Sequence, residues 1–204
     1  MTRSDRIVFL GDSITELGAA ANGYVTLVGN SLKARCGDDA PEIINAGISG
    51  NKVTDLQSRL DRDVISRNPK IVVVYIGIND VWHFALPGHT GTPMYLYESG
   101  LRSIVAKLLA SGAKVILCTP SVIGEKRDGT NPQDNMLNEY SEISRAVAKA
   151  AGISVCDLRR EFTTYLNGRN NGDRSFGVLT VDGVHLNDEG NRLVAGAMLR
   201  ALGV

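Results

Sequence analysis

A chain of 204 residues can bury a full core without disulfide or metal staples, and it reads as one domain over residues 1–204. Its 43% apolar and 22% charged content is ordinary for a soluble globular protein, and 22 basic residues balance 22 acidic ones. That balance removes any general electrostatic reason to expect nucleic acid or an anionic membrane surface as a partner, and no apolar stretch is long enough for stable membrane insertion.

The chain starts as a charged tip, MTRSD, that runs at once into RIVFL (6–10). There is no apolar signal core with a cleavage site, so a cytoplasmic protein is expected unless a leader has been trimmed. Further β-branched runs follow at EIINA (42–46), KIVVVYIG (70–77), KVILC (114–118) and ISVCD (153–157). All five are continuously apolar, which suits parallel strands covered on both faces. After the third, Thr92-Pro93 offers an N-cap followed by proline at the first helical position, and Leu101, Ile104, Val105, Leu108 and Leu109 repeat at three and four. Gly112 stands where a left-handed helix end is wanted. The same grammar recurs after the fourth run. Asn131-Pro132 starts, Met136, Leu137, Tyr140, Ile143 and Val147 form the stripe, and Gly152 stops it. Leu193, Val194, Ala197 and Met198 mark a last helix.

Alternating strands and helices predict a three-layer α/β/α domain with a five-stranded parallel sheet. In such sheets ligands bind beyond the carboxyl ends of the strands, where the strand order reverses. With a flavodoxin-like order, the first and third strands flank that point, and their ends carry GDS (11–13) and GIND (77–80). Long connections at about 80–92, 119–131 and 168–186 are further places for function. Cys36, Cys118 and Cys156 are an odd set without C-x-x-C spacing, and the last two read as inert buried thiols.

Ser13, in FLGDSITELG (9–18), is the nucleophile candidate, although a serine in a strand–helix turn is commonplace and G-x-S-x-G is absent. A base must be one of three histidines, His83, His89 or His185. His185 follows Asp182 by three residues in VDGVHLNDEG (181–190), a spacing that can bring the carboxylate to Nδ1 and leave Nε2 free. Asn187 then caps the last helix, with Asp188 and Glu189 in its first turn. NAGISG (45–50) supplies glycines at 47 and 50 whose amides can approach a ligand, and Asn79 in GIND supplies an uncharged side-chain donor. Each stretch alone has a bland reading as a turn or a cap.

Together, FLGDSITELG, NAGISGNKVTDL, VVVYIGINDVW and DGVHLNDEGNRL resemble, in order, the four blocks of the SGNH hydrolases, the GDSL-type esterases and lipases. The likeness spans residues 9–193 and is nearest to the compact bacterial branch with lysophospholipase-like and acetylhydrolase-like members. It implies a serine esterase acting on a small acyl ester through a covalent acyl-enzyme, with neither cofactor nor metal. Ser13 would be the nucleophile, His185 the base and then acid, and Asp182 its orienting partner. Ser13 N–H, Gly47 N–H and the Asn79 side chain would form the oxyanion hole. Isoleucine at position 14 stands where the family's namesake motif has leucine.

An acyltransferase using the same acyl-enzyme, and a non-catalytic binding module of the same fold, are the rival readings. The second predicts a lesion in the triad, and none is visible. A nucleotide-binding protein lacks support, because the first turn has neither G-x-G-x-x-G nor a P-loop. His83 and His89 with Asp80 form no compact ligand pattern. Trp82 and Phe84 are equally suited to wall an acyl pocket or to anchor their loop. The mixed-charge loops GEKRDGTN (124–131) and NGRNNGDRS (167–175) would suit a substrate with a hydrophilic part. Oligomeric state is left open.

Overall fold

The computed structural model describes Arg3 and residues 5–204; Met1, Thr2 and Ser4 of the charged tip lie outside the described residues. Strands β1 (Arg6–Gly11), β2 (Glu42–Gly47), β3 (Ile71–Tyr75), β4 (Lys114–Cys118) and β5 (Ser154–Cys156) form one parallel sheet in the order β2-β1-β3-β4-β5. The helices are α1 (Ser13–Leu17), α2 (Tyr24–Cys36), α3 (Val53–Asp63), α4 (Ile78–Trp82), α5 (Met94–Ala110), α6 (Asp134–Ala151), α7 (Leu158–Arg169) and α8 (Asp188–Leu202). Helix α8 packs against α2 and α7, and α5 packs against α3 and α6. This is the flavodoxin-like arrangement the sequence predicts.

The apolar runs explain the layering. Ile7, Val8, Phe9 and Leu10 are all wholly buried, as are Val72, Val74, Ile116 and Leu117, so both faces of the inner strands need a covering helix. In α5 the buried stripe is Leu101, Ile104, Val105 and Leu108. Burying each such side chain contributes about 1.5–3 kcal/mol, whereas helix propensities of ordinary residues span only ~0.7 kcal/mol. Packing therefore places α5 more firmly than local preference does. Leu109, predicted to face inward, is 40% exposed, because the stripe has rotated past it near the helix end.

Helix starts depart from the predicted positions. Pro93, not Thr92, flanks α5, and α6 begins at Asp134 rather than after Asn131. The Asn131 side chain is engaged elsewhere: its Nδ2 donates to Lys126 O and Asp134 Oδ2, both at 2.8 Å. Gly152 does adopt the left-handed cap, and Asn187 caps α8 by accepting from Gly190 N at 3.0 Å. Helices α2, α3 and α7 were not singled out by periodicity. Cys118 and Cys156 are buried, while Cys36 is partly exposed. No described helix is long and apolar enough to cross a membrane.

The topology reverses between β1 and β3. From β1 the chain moves outward to β2, then crosses back to β3 on the other side of β1. Gly11, at the end of β1, is registered against Gly47 of β2 and Tyr75 of β3. The loops that carry the sequence motifs thus leave the sheet side by side.

Candidate active site

Ser13 is the first residue of α1, directly beyond the end of β1. Asp12 caps the helix, its Oδ1 accepting from Ile14 N at 3.0 Å. The hydroxyl of Ser13 meets a residue 172 positions away: Oγ lies 3.1 Å from His185 Nε2. On the other side of the ring, His185 Nδ1 lies 2.7 Å from Asp182 Oδ2. The second Asp182 oxygen accepts from the backbone N–H of His185 at 2.8 Å and of Val184 at 2.9 Å. Burial pushes the Asp182 carboxyl up, but these hydrogen bonds from His185 and Val184 outweigh it and hold the group below its usual value. An ionised carboxylate accepts only, so Nδ1 carries the proton and Nε2 presents a lone pair to the Ser13 O–H. A hydroxyl in that position can be deprotonated as it attacks a carbonyl.

The Trp82 ring stands edge-on to the His185 imidazole, with centroids 6.2 Å apart. Phe84 instead lies against Gly91, where even a Cβ would overlap its ring, and so fastens its own loop. Of the two aromatics, equally suited to either role in the sequence, Trp82 stands beside the histidine and Phe84 holds its loop. His89 is exposed and bonded through Nδ1 to Phe84 O at 2.6 Å. His83 is half-buried, and burial together with the Lys52 charge holds its imidazole below the usual value. Among the described residues, neither hydrogen-bonds Ser13, Asp182 or His185.

The donors around Ser13 need one correction. Gly47 N–H does not point into an open crevice; it donates to Asn45 Oδ1 at 2.8 Å. Gly47 is required for a different reason. A Cβ there would overlap the Glu16 amide and the Thr15 carbonyl carbon, so only glycine lets α1 lie against the end of β2. Three residues on, Gly50 has φ +77°, is exposed, and would find no atom within 4 Å of an added Cβ. Its amide makes no hydrogen bond within the described residues. Asn79, 3% exposed, donates Nδ2–H to Asn51 O at 3.0 Å, which ties the amide side chain to the Gly50 loop. Its other N–H has no acceptor among the described residues. Ser13 N–H, at the start of α1, likewise has none.

Arg59, on the buried face of α3, braces the same region. Its Nη2 donates to Gly11 O and Ala46 O, both at 2.9 Å, and Nε to Asn51 Oδ1 at 2.7 Å. One guanidinium thereby joins the ends of β1 and β2 to the residue that holds Asn79. Sequence periodicity had no means to mark it, since its partners lie on three separate segments.

Two carboxyls lie buried beneath the site. Burial raises Asp12 to about 7 and Asp80, which accepts from Val53 N, to about 6. For Asp12 the sign is clear. Between 3.8 and about 7 the unfolded chain gives up a proton that the folded one keeps, so this group's stabilisation is full below that window and is lost as pH rises through it. Asp12→Asn can still cap α1, and its melting temperature is expected to decline less than wild type between about pH 4 and 7. Parallel curves would rule out a buried neutral carboxyl here.

Beside Asp182 opens a cleft of about 360 Å³, lined by Trp82 and Phe176 and by the polar Lys126, Thr130, Asn131 and Ser175. The two mixed-charge loops noted in the sequence form this rim.

Residues 9–193 match the model of the GDSL-like Lipase/Acylhydrolase family. An acetylxylan esterase of Geobacillus stearothermophilus is 32% identical over 98% of this chain and 94% of its own. An isoamyl acetate-hydrolyzing esterase 1 homolog of Rattus norvegicus is 26% identical, covering 93% of this chain and 78% of that protein. Among solved structures, an acetyl xylan esterase called AlAXEase superimposes with a TM-score of 0.94 at 44% identity, over 97% of this chain and 99% of its own.

Proposed function

The chain belongs to the GDSL-like lipase/acylhydrolase family and is a serine esterase, and we propose that it removes acetyl groups from xylose-based saccharides with Ser13, His185 and Asp182 as its triad. The observation that carries the triad is the unbroken run Ser13 Oγ–His185 Nε2–His185 Nδ1–Asp182 Oδ2, at 3.1 and 2.7 Å. His185 Nε2 takes the Ser13 proton as Oγ attacks the acetyl carbonyl. The developing oxyanion is met by three donors free of protein acceptors: Ser13 N–H, Asn79 Nδ2–H and Gly50 N–H, the last replacing Gly47. Collapse expels the sugar hydroxyl, which receives the proton from His185. Water, deprotonated by the same imidazole, then releases acetate and restores Ser13.

The sugar assignment is supported by the names of the similar acetylxylan esterases and by the cleft next to Asp182. Trp82 and Phe176 offer faces for a pyranose ring, and Lys126 and Ser175 offer partners for its hydroxyls. Acetate release from acetylated xylo-oligosaccharides, run beside p-nitrophenyl esters of increasing chain length, tests it. Preference for the acetylated sugars and the shortest acyl group is expected; preference for long acyl chains would refute the assignment.

Asn79→Ala tests the oxyanion hole. Loss of one such donor lowers turnover by about 10²–10³-fold, and the effect is expected in kcat with little change in KM. A drop in KM-controlled binding alone would remove Asn79 from the hole.

A further inference from the structure

We propose that Glu125 is a positioning residue for the acid–base pair, pinning from inside the protein the segment from which the Asp182–His185 turn is suspended. The proposal rests on the triad reading above. Glu125 follows β4 in the loop 119–133, and it is wholly buried. Its carboxylate accepts four hydrogen bonds from residues 53 to 55 positions away: Val178 N at 2.8 Å, Leu179 N at 2.7 Å, Thr180 N at 2.6 Å and Thr180 Oγ1 at 2.7 Å. Three successive backbone amides thus converge on one side chain, which leaves that stretch almost no freedom to slide.

The connection continues into the turn itself. Because a carboxylate only accepts, the Thr180 hydroxyl must spend its proton on Glu125, and its lone pair then accepts Gly183 N–H at 3.0 Å. Gly183 lies between Asp182 and Val184, whose amide is one of the two that hold the Asp182 carboxylate. The Glu125 loop also reaches the turn directly, through Gly124 N to Gly183 O at 2.8 Å. On the far side, Val181 N donates to His185 O at 2.8 Å and Asn187 N to Leu179 O at 3.0 Å, so the pinned residues flank the histidine on both sides. Glu125 is itself steadied by the buried Asn170, whose Nδ2 donates to Glu125 O at 2.7 Å. Asp182 is exposed and His185 only half-buried, so the hydrogen bonds that tie Gly183 and the flanking residues to the pinned stretch help hold the imidazole against Ser13.

The test is steady-state kinetics on p-nitrophenyl acetate with Glu125→Gln, Thr180→Val and Thr180→Ser. Thermal unfolding and the downfield proton resonance of His185 Nδ1–H are measured in parallel. Small misplacements of a catalytic group can lower rates by up to about 100-fold. Glu125→Gln and Thr180→Val are therefore expected to lower kcat about 10–100-fold with KM unchanged and to broaden or lose the downfield resonance. Thr180→Ser, which keeps the hydroxyl, restores both. Thr180→Val leaves the carboxylate and its three amide donors in place, so it carries the test if Glu125→Gln fails to fold. In an Asp182→Asn background the Glu125→Gln loss is expected to vanish, since no aligned pair remains to be disturbed. Lowered melting temperatures with wild-type kcat, or a full multiplicative loss in the Asp182→Asn background, would reduce Glu125 to a structural clamp and overturn the proposal. Wild-type turnover in Asp182→Asn alone would overturn the triad reading and this inference with it. The normal large loss in Asp182→Asn combined with unchanged kcat in Glu125→Gln and Thr180→Val would overturn this inference alone.

Discussion

Ser13→Ala is expected to lower ester turnover about 10⁶-fold, the scale seen when a serine hydrolase loses the nucleophile of a working triad. The substitution removes one oxygen atom from a residue that is nearly buried at the start of α1, while the cap of that helix belongs to Asp12 and is untouched. The fold should therefore survive, and the variant should still bind substrate. What disappears is the acyl-enzyme. Mass spectrometry after quenching with a slow ester substrate is expected to show the added acetyl mass on wild-type protein and none on the variant. His185→Ala should be about as damaging, and the double variant scarcely worse than either, because the hydroxyl and the imidazole act as one unit. Two independent losses that multiply would mean that Ser13 and His185 do not cooperate, whatever their 3.1 Å separation.

How far the sequence could anticipate this site depends on the range of the interactions. The run KVILC marks β4 at its observed limits, because an inner strand buried on both faces leaves an uninterrupted apolar signature. KIVVVYIG overshoots: β3 ends at Tyr75, yet Ile76 is still wholly buried, so hydrophobicity cannot separate the strand from the turn that follows. The Asp182–His185 pairing was legible because three residues across a glycine turn make a local geometry. Its meeting with Ser13 was legible only through a resemblance of four blocks, since nothing local links positions 172 apart. In NAGISG the motif offered two glycines. Sequence had no means to tell which would fit beneath α1 and which would be left open, and the difference lies in the Glu16 and Asn45 contacts of Gly47. Arg59 and Glu125 were invisible for a related reason. Each is a charged residue with no motif around it, whose meaning comes entirely from backbone groups brought to it by the fold.

Asp182→Asn is the second large effect, and it isolates electrostatics from architecture. Asparagine can keep an oxygen where Oδ1 now accepts the amides of Val184 and His185, so the turn is expected to hold its shape. The group facing His185 Nδ1 then becomes an NH₂, a donor where an acceptor stood. To avoid two opposed donors 2.7 Å apart, the ring must place its proton on Nε2, the atom that faces Ser13 Oγ. The serine proton then has no base to go to, and the positive ring formed during attack has no carboxylate to stabilise it. A loss of about 10⁴-fold in kcat is expected from the wrong tautomer, with KM and the melting temperature near wild type. The depressed value of Asp182 gives the same result a pH signature. The wild-type carboxylate stays ionised down to below its usual range, so its contribution is present above about pH 4 and fades only in stronger acid. A variant that is equally active at pH 7 would show that the Asp182 charge is not used, and the hydrolase would then rest on a Ser13–His185 dyad.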